Sequence, residues 1–435
     1  MKLRKKWIYL PVEVKSRELI SKVFFADLAT RSGFGVFIGR NGMNLSRTKF
    51  PRGVYFDKCL SGHKIDFHRH QVEKLENILV SLDEEALVVN RTYAEARFTQ
   101  LSIDLCSIIF VWGEVEASLI RERYGSSAKI CVSGSPRVDC WRPQVEHLYD
   151  IEVTSIKKRF GDFILVNSNF GAGVLPESRY SEEARSYFKL RAVVRGEFLK
   201  LIRRIAVEFP YRNIVLRPHP SENHASWTSL ASELPSNVHI IFEGSVSPWV
   251  RAASLLIHFC CTTAVEAWVA NTPAISYEPL LEGYPNYEPH HFLPGALSLR
   301  LGSEEEVLST IRNGFPDNSL SRSTELEIVK KYIDFDERKL SSQKIISELK
   351  KLSIEEDVYQ IPSFSVWKKF RSRVGQAKDQ IGDIWAYKNQ MHKNPGMDLD
   401  EITHLTERLL AEDTLVHGQL NVHQVDVDTF CLFRD

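Results

Sequence analysis

The chain of 435 residues carries 56 lysines and arginines against 56 aspartates and glutamates, so no net charge draws in nucleic acid or an anionic surface over long range. Its length allows two domains of ordinary size and a tail. The seven cysteines, at 59, 106, 131, 140, 260, 261 and 431, form no C-x-x-C pair and lie in or beside apolar runs, which points to reduced thiols rather than a disulfide framework. No apolar run approaches the ~20 residues of a membrane span, and the basic start Met1-Lys2-Leu3-Arg4-Lys5-Lys6 is followed by too short an apolar stretch for a signal peptide. The composition predicts a soluble cytoplasmic protein.

Along the first part of the chain, apolar runs at 7–10, 35–38, 54–56, 86–89, 108–112 and 130–133 read as strands. Amphipathic stretches such as 17–31, 71–81 and 115–124 separate them, which predicts a parallel doubly wound sheet. Asp83, Glu84 and Glu85 come just before the expected strand at 86–89. Three adjacent carboxylates repel one another, so at least one is expected to hold its proton tightly enough for proton transfer. Arg40 and Asn41 sit in a glycine-bearing turn at the expected mouth of a cleft. His63, His68 and His70 are close in sequence but match no zinc spacing, so no metal site is expected, and His63 is read as a cleft residue. The alternation stops at Gly134-Ser135-Pro136-Arg137-Val138-Asp139, which places a domain boundary near 140–160.

A second alternating series starts at 163–167 and runs through 214–216, 238–242, 255–258 and 274–277, with one or two helices over 182–209. Three strand ends in it carry polar groups. The first is Asn167-Ser168-Asn169-Phe170-Gly171, a small polar loop suited to close backbone approach. The second is Arg217-Pro218-His219-Pro220, where two prolines fix the backbone around a phosphate-capable imidazole. The third is Cys260-Cys261-Thr262-Thr263-Ala264-Val265-Glu266, with two hydroxyls at a helix start and a carboxylate one turn on that suits ribose hydroxyls. Open parallel sheets bind ligands at this carboxyl edge, so the combination suits a sugar nucleotide. His290 and His291 lie in a loop rich in proline and tyrosine, read equally as donor contact or as packing. Beyond 301 the pattern turns helical, and 354–435 carries a basic aromatic segment at 367–373 and an acidic one at 398–412.

The segments Tyr9-Leu10-Pro11-Val12-Glu13-Val14-Lys15-Ser16-Arg17-Glu18-Leu19, Leu82-Asp83-Glu84-Glu85-Ala86 and Gly134-Ser135-Pro136-Arg137-Val138-Asp139, with the His-Pro and Thr-Thr pieces, resemble a bacterial surface-carbohydrate biosynthesis family. That family is similar to glycosyltransferases of the GT-B fold, and within it the chain looks closest to Kdo transferases and sialyltransferase-like enzymes that use CMP-activated acidic sugars. The resemblance spans roughly residues 7–340.

It implies an α/β, GT-B-like fold with two Rossmann-like doubly wound domains facing across a cleft and a helical C-terminal tail. The expected domains are 1–140 (acceptor), 141–160 (linker), 161–352 (nucleotide sugar) and 353–435 (tail). In the site it implies, Glu85 is the catalytic base with Asp83 and Glu84 in support. His219-Pro220 and Thr262-Thr263 hold the CMP phosphate, with Arg217, Glu266, Asn167, Ser168, Asn169 and Gly171 around the donor. Arg40, Asn41, His63 and Arg137 face the acceptor or cleft. Where the family has glycine after the acidic pair, this chain has Ala86.

The partners implied are a CMP-sugar donor and a glycan or glycolipid acceptor, with no resident cofactor, no nucleic acid, and a possible peripheral membrane contact through Trp367, Phe370 and their basic neighbours. Three alternatives stand beside this reading: a CDP-glycerol or CDP-ribitol phosphotransferase, a sugar-nucleotide 2-epimerase, and a non-catalytic subunit of a polysaccharide assembly complex.

Overall fold

A computed structural model describes residues 1–41, 43, 45–46, 48–87, 91–125, 129–170, 178, 181–220, 222–284, 292–315, 322–362, 393–410 and 419–435. Gly171, His290, His291 and the basic aromatic segment 367–373 lie outside the described residues. The chain forms two compact units, Met1–Cys140 with Val329–Asp435, and Trp141–Ile328.

The first unit begins with six strands: β1 (Lys2–Val12), β2 (Phe34–Arg40), β3 (Gly53–Asp57), β4 (Ile78–Leu82), β5 (Ile108–Val111) and β6 (Ile130–Val132). They pair in parallel in the order β2-β1-β3-β4-β5-β6, so the strand order reverses between β1 and β3. Trp7, Ile8, Tyr9 and Leu10 are all buried, as a central parallel strand covered on both faces requires. Tyr9 stacks on Phe37 with ring centroids 5.0 Å apart, and its hydroxyl donates to the Pro51 carbonyl at 2.6 Å.

The second unit contributes β7 (Phe163–Asn167), β8 (Asn213–Arg217), β9 (Val238–Ile240), β10 (Leu255–His258), β11 (Ala274–Tyr277) and β12 (Leu299–Leu301). All pair in parallel in the order β12-β11-β10-β7-β8-β9. Relabelled from its own first strand this is the dinucleotide-fold order 3-2-1-4-5-6 read from the other edge, and its switch point falls between β7 and β10. Alternation along β7 splits the core. Ile164 and Val166 meet the single long helix Glu182–Glu208 through Val194, Phe198, Leu201 and Ile205, while Phe163 and Leu165 meet Phe160 and Trp249 on the other face.

Three features differ from the sequence reading. Of the strand expected at 86–89, Ala86 and Leu87 form a buried turn and residues 88–89 lie outside the described residues, while β4 at Ile78–Leu82 overlaps the stretch 71–81 read as amphipathic helix. An apolar run of four does not by itself separate a strand from a buried loop.

The 141–160 stretch is an integral layer of the second unit. Helix Asp150–Phe160 buries Ile156 and Phe160 there, and Leu148 and Tyr149 are buried just before it.

The residues after 328 return to the first unit, and the expected helical tail contains three strands. β13 (Asp357–Gln360) pairs antiparallel with the start of β1, and the hairpin of β14 (Leu420–Asp426) and β15 (Thr429–Arg434) extends the sheet beyond β2. A register shift near Gln424 breaks the alternation of β14 and hides it from a period-two pattern. Among the described residues of this stretch, the acidic segment forms a helix at Leu399–Leu410.

Asp139 explains why residues beyond 340 dock on the first unit. It is fully buried and caps helix Ser341–Lys351, accepting from Ser341 N at 2.9 Å, Ser342 N at 2.8 Å and Ser342 Oγ at 2.7 Å. Gly134, at φ +72°, is required for this approach, since a Cβ there would stand 2.3 Å from Ser341 Oγ.

Candidate functional site

Each unit has a carboxyl edge, and the two differ in chemistry. In the first unit the edge is a lattice of ion pairs. Lys58, just past β3, pairs with Glu13, just past β1, which Lys393 also meets at 3.0 Å. Burial pushes the Glu13 carboxyl up, but Lys58 and Lys393 outweigh it and hold it down at about 2. The segment around Asn394 lies over the same strand ends: Asn394 Nδ2 donates to the Val12 carbonyl at 3.2 Å, and Lys15 Nζ donates to Gly396 O at 2.7 Å. Arg40 donates to Asn394 O at 3.3 Å, and Asn41 donates its N–H to Val12 O at 2.8 Å. Arg40 is therefore tied to the returning chain, and Asn41 to the end of β1.

Because β4 ends at Leu82, the acidic trio follows a carboxyl end rather than preceding a strand. Asp83 is buried and gripped by Arg97 through Nε at 2.6 Å and Nη2 at 2.5 Å. Glu84 is buried against Lys22 Nζ at 2.5 Å. Glu85 is the most open, its side chain 48% exposed, and it meets Arg17 at 3.0 Å. Burial acts to raise the Glu84 carboxyl, but Lys22, Arg137 and Arg17 reverse the shift and lower it. Burial likewise acts to raise Glu85, and Arg17, Lys58 and Arg97 lower it. Mutual repulsion thus does not set these two groups; neighbouring cations do.

A carboxyl the sequence did not flag shifts the other way. Glu116, fully buried and near Asp83, is raised well above the usual range by burial, and its Oε2 accepts from Trp112 N at 2.9 Å. Arg137 donates to Glu84 O at 2.6 Å and so braces the trio. His63 is exposed, 3.4 Å from Ser61 Oγ, whereas His68 is buried between Asp57 at 2.8 Å and Ser102 at 3.1 Å. Among the described residues no group of three or more His, Cys, Asp or Glu side chains is arranged to hold a metal ion.

In the second unit the structure brings together two of the three strand ends at the switch point. Asn167, 4% exposed at the end of β7, pairs in register with His258 of β10, and its Nδ2 donates to Thr263 Oγ1 at 3.0 Å. Its Oδ1 is buried with no hydrogen-bond partner among the described residues.

The turn after β10 is held by His258. Burial lowers this imidazole to about 3, so it is neutral at physiological pH. Nδ1 accepts from Cys261 N at 3.3 Å, which leaves Nε2–H to donate to Ser298 Oγ at 2.8 Å. Cys260 within the turn takes φ +48°, a left-handed conformation uncommon for a side-chain-bearing residue and often found where a ligand is held. Thr262 and Thr263 are half-buried at the start of the short helix Thr263–Val269, and Glu266 is buried in its first turn.

Ser168 donates to the buried Glu222, which also accepts from Trp227 Nε1 at 2.7 Å, and Asn169 is half-buried beside it. His219 stands half-buried just past β8, and its carbonyl accepts from Glu222 N at 2.9 Å to close the Pro218–Pro220 turn. Arg217 points elsewhere. Its guanidinium donates to the carbonyls of Glu243 at 2.7 Å and Gly244 at 3.0 Å, lies 4.8 Å from the Trp249 ring, and burial lowers it to about 10. It is a strut for the loop after β9.

A buried cation beside the turn after β10 is Arg191, 3% exposed on helix Glu182–Glu208, with its guanidinium carbon 5.6 Å from the Phe259 ring. A signal for it exists in the sequence. Tyr187, Arg191, Val194, Phe198, Leu201 and Ile205 form one stripe at helical spacing, and Arg191 interrupts it.

No described helix is long and apolar enough to cross a membrane. No protein-family model matches the chain, and no curated protein matches it. Among solved structures, the UDP-GlcNAc 2-epimerase of Neisseria meningitidis bound to UDP-GlcNAc is similar over 80% of this chain and 100% of its own, at 14% identity and TM-score 0.49. The wall teichoic acid polymerase TagF is similar over 80% of this chain and 89% of its own, at 11% identity and TM-score 0.49. The S. aureus MnaA–UDP co-structure is similar over 80% and 96%, at 11% identity and TM-score 0.48. At these identities and scores the likeness is to overall fold and assigns no substrate.

Proposed function

We propose that the chain is an enzyme of nucleotide-activated sugars whose nucleotide is held by the second unit. The observation that carries this is the switch point, where Asn167, Thr263 and the strained Cys260 turn meet at the ends of two adjacent parallel strands, with His219 at the end of the next. Amide and hydroxyl groups there suit a ribose or a phosphate, and His219 suits a phosphate oxygen. The reading assigns no resident cofactor, and it keeps a surface-glycan role and a cytoplasmic location as parts of the proposal.

Of the reactions open to such a site, we favour a sugar-nucleotide 2-epimerase over transfer of a CMP-activated acidic sugar to a glycan acceptor. Transfer in the sialyltransferase manner needs Glu85 as a base, and Arg17, Lys58 and Arg97 hold that carboxylate below its ordinary range, which weakens it for the task. Thermal melts with UDP, UDP-GlcNAc, CDP and CMP test the assignment. A ligand at a hundred times its Kd adds about 2.7 kcal/mol to the native state. UDP and UDP-GlcNAc are expected to raise the melt, and His219→Ala to remove the rise while leaving the ligand-free melt unchanged. Proton NMR of incubated UDP-GlcNAc should then reveal inversion at C2. A rise with CMP and none with UDP reverses the order of the two reactions, and no rise with any nucleotide contradicts the proposal.

A further inference from the structure

We infer that Arg191 is a phosphate-binding residue at the switch point of the second unit, set to receive a diphosphate or phosphate group beside the turn after β10. The inference takes the nature of the rest of the ligand from the nucleotide reading, but the anion subsite stands on its own observations.

Arg191 is 3% exposed, and its Nε and Nη1 are buried with no hydrogen-bond partner among the described residues, nor does any described carboxylate form an ion pair with it. Its guanidinium carbon lies 4.7 Å from the Tyr187 ring and 5.6 Å from the Phe259 ring, so its faces are covered while Nε and Nη1 have no acceptor among the described residues.

Other arginines of the same unit are used otherwise. Arg195 donates to Ser226 O at 2.6 Å, Arg217 to the carbonyls of Glu243 and Gly244, Arg251 to Arg142 O at 2.9 Å, and Arg212 to Asp162 at 2.9 Å. A buried guanidinium without an acceptor is costly, and a bound anion would offset that cost. Burial pushes the thiols of Cys260 and Cys261 up, and the charge of Arg191 acts against that rise, which locates the cation at the turn.

The chemistry favours phosphate. Planar N–H donors in a fixed fork match two phosphate oxygens, and stacking between aromatic rings leaves the donor edges clear. The Asn167 Oδ1 at the end of the adjacent strand, without a partner among the described residues, supplies an acceptor for a hydroxyl of the same ligand. The nearby Glu222 is engaged by Ser168 and Trp227, and its charge is felt by Arg195.

Calorimetric titration with inorganic pyrophosphate, UDP and uridine, on the full chain and on Arg191→Met and Arg191→Lys, tests this. The full chain should bind pyrophosphate and UDP. Arg191→Met should weaken both by roughly 10- to 100-fold, as loss of a charge-assisted hydrogen bond implies, and Arg191→Lys should recover part of the loss. Uridine binding should not change. The ligand-free melt of Arg191→Met should equal or exceed that of the parent, because a desolvated cation is removed, and a merely structural arginine would give the opposite.

Equal binding of pyrophosphate and UDP by parent and Arg191→Met overturns the inference alone. Collapse of the ligand-free fold in both variants also overturns it. Pyrophosphate binding that depends on Arg191, with no nucleotide binding, upholds the subsite and removes the nucleotide reading. Binding of neither ligand by the parent removes both.

Discussion

Lys22→Met is expected to lower the stability of the first unit by about 3–5 kcal/mol, the usual cost of breaking one side of a buried ion pair. Lys22 is buried on helix Lys15–Arg31 with its ammonium 2.5 Å from Glu84, and Glu84 is itself buried. Removing the cation leaves a carboxylate out of water with only Arg137 and Arg17 to offset it. The sign of the pH dependence should change with it. In the parent the Glu84 carboxyl is lowered in the folded state, so its contribution is present above the ordinary carboxyl range and is lost as pH falls through the folded value. In the variant burial dominates and the carboxyl rises, so stability falls as pH rises above about 4.5. Lys22→Met combined with Glu84→Gln should recover more than half of the loss, since neither charge is then buried alone. Urea unfolding at pH 5 and pH 8 measures all of this. A loss below about 1 kcal/mol in the single variant would show that the pair behaves as a solvated surface contact.

Asp139→Ala comes next in size. The residue satisfies two backbone N–H groups and a hydroxyl at the start of helix Ser341–Lys351, all in a buried setting. Unpaired buried donors cost about 1–3 kcal/mol each, partly relieved by relaxation, so a loss of about 2–4 kcal/mol is expected. For a unit of this size that is a fall in Tm of roughly 5–15 °C. Asp139→Asn should fall between, because an amide oxygen still accepts one bond. Limited proteolysis gives an independent reading, with earlier cleavage near 335–341 in the alanine variant. Unchanged proteolysis and an unchanged melt would mean that this carboxylate does not hold the returning chain.

The strands of both sheets were legible wherever a short apolar run stood between turn signals. β1, β2, β3, β5, β6 and every strand of the second unit but β12 fall on such runs. β4 was lost because Ile78–Leu82 follows helical spacing closely and the apolar Ala86-Leu87 drew the strand forward. That slip moved the acidic trio from the carboxyl end of a strand to an amino end, and with it the electrostatic reading. The lowered carboxyls of Glu84 and Glu85 depend on Lys22, Arg17, Lys58 and Arg97, which lie far apart in sequence and meet only after folding.

The candidate residues of the second unit stood out in the sequence because they cluster at strand ends: Asn167 closes β7, and Thr262-Thr263 open the helix that follows β10. Arg191 did not stand out, because it sits mid-helix and its trace is a charge interrupting an apolar stripe. Arg217 shows the converse: it follows a strand but turns back to the loop after β9, a choice made by the carbonyls of Glu243 and Gly244.

Hydrogen exchange of the full chain with and without saturating UDP or UDP-GlcNAc tests the nucleotide site most directly. Amide protection should rise in peptides covering 165–170, 217–222 and 258–266, the strand ends that meet Asn167, His219 and Thr263, while the ion-paired edge around Glu13 and Lys58 stays unchanged. Protection confined to the first unit, or no change in the three strand-end peptides at a concentration that raises the melt, would contradict the assignment of the nucleotide to the second unit.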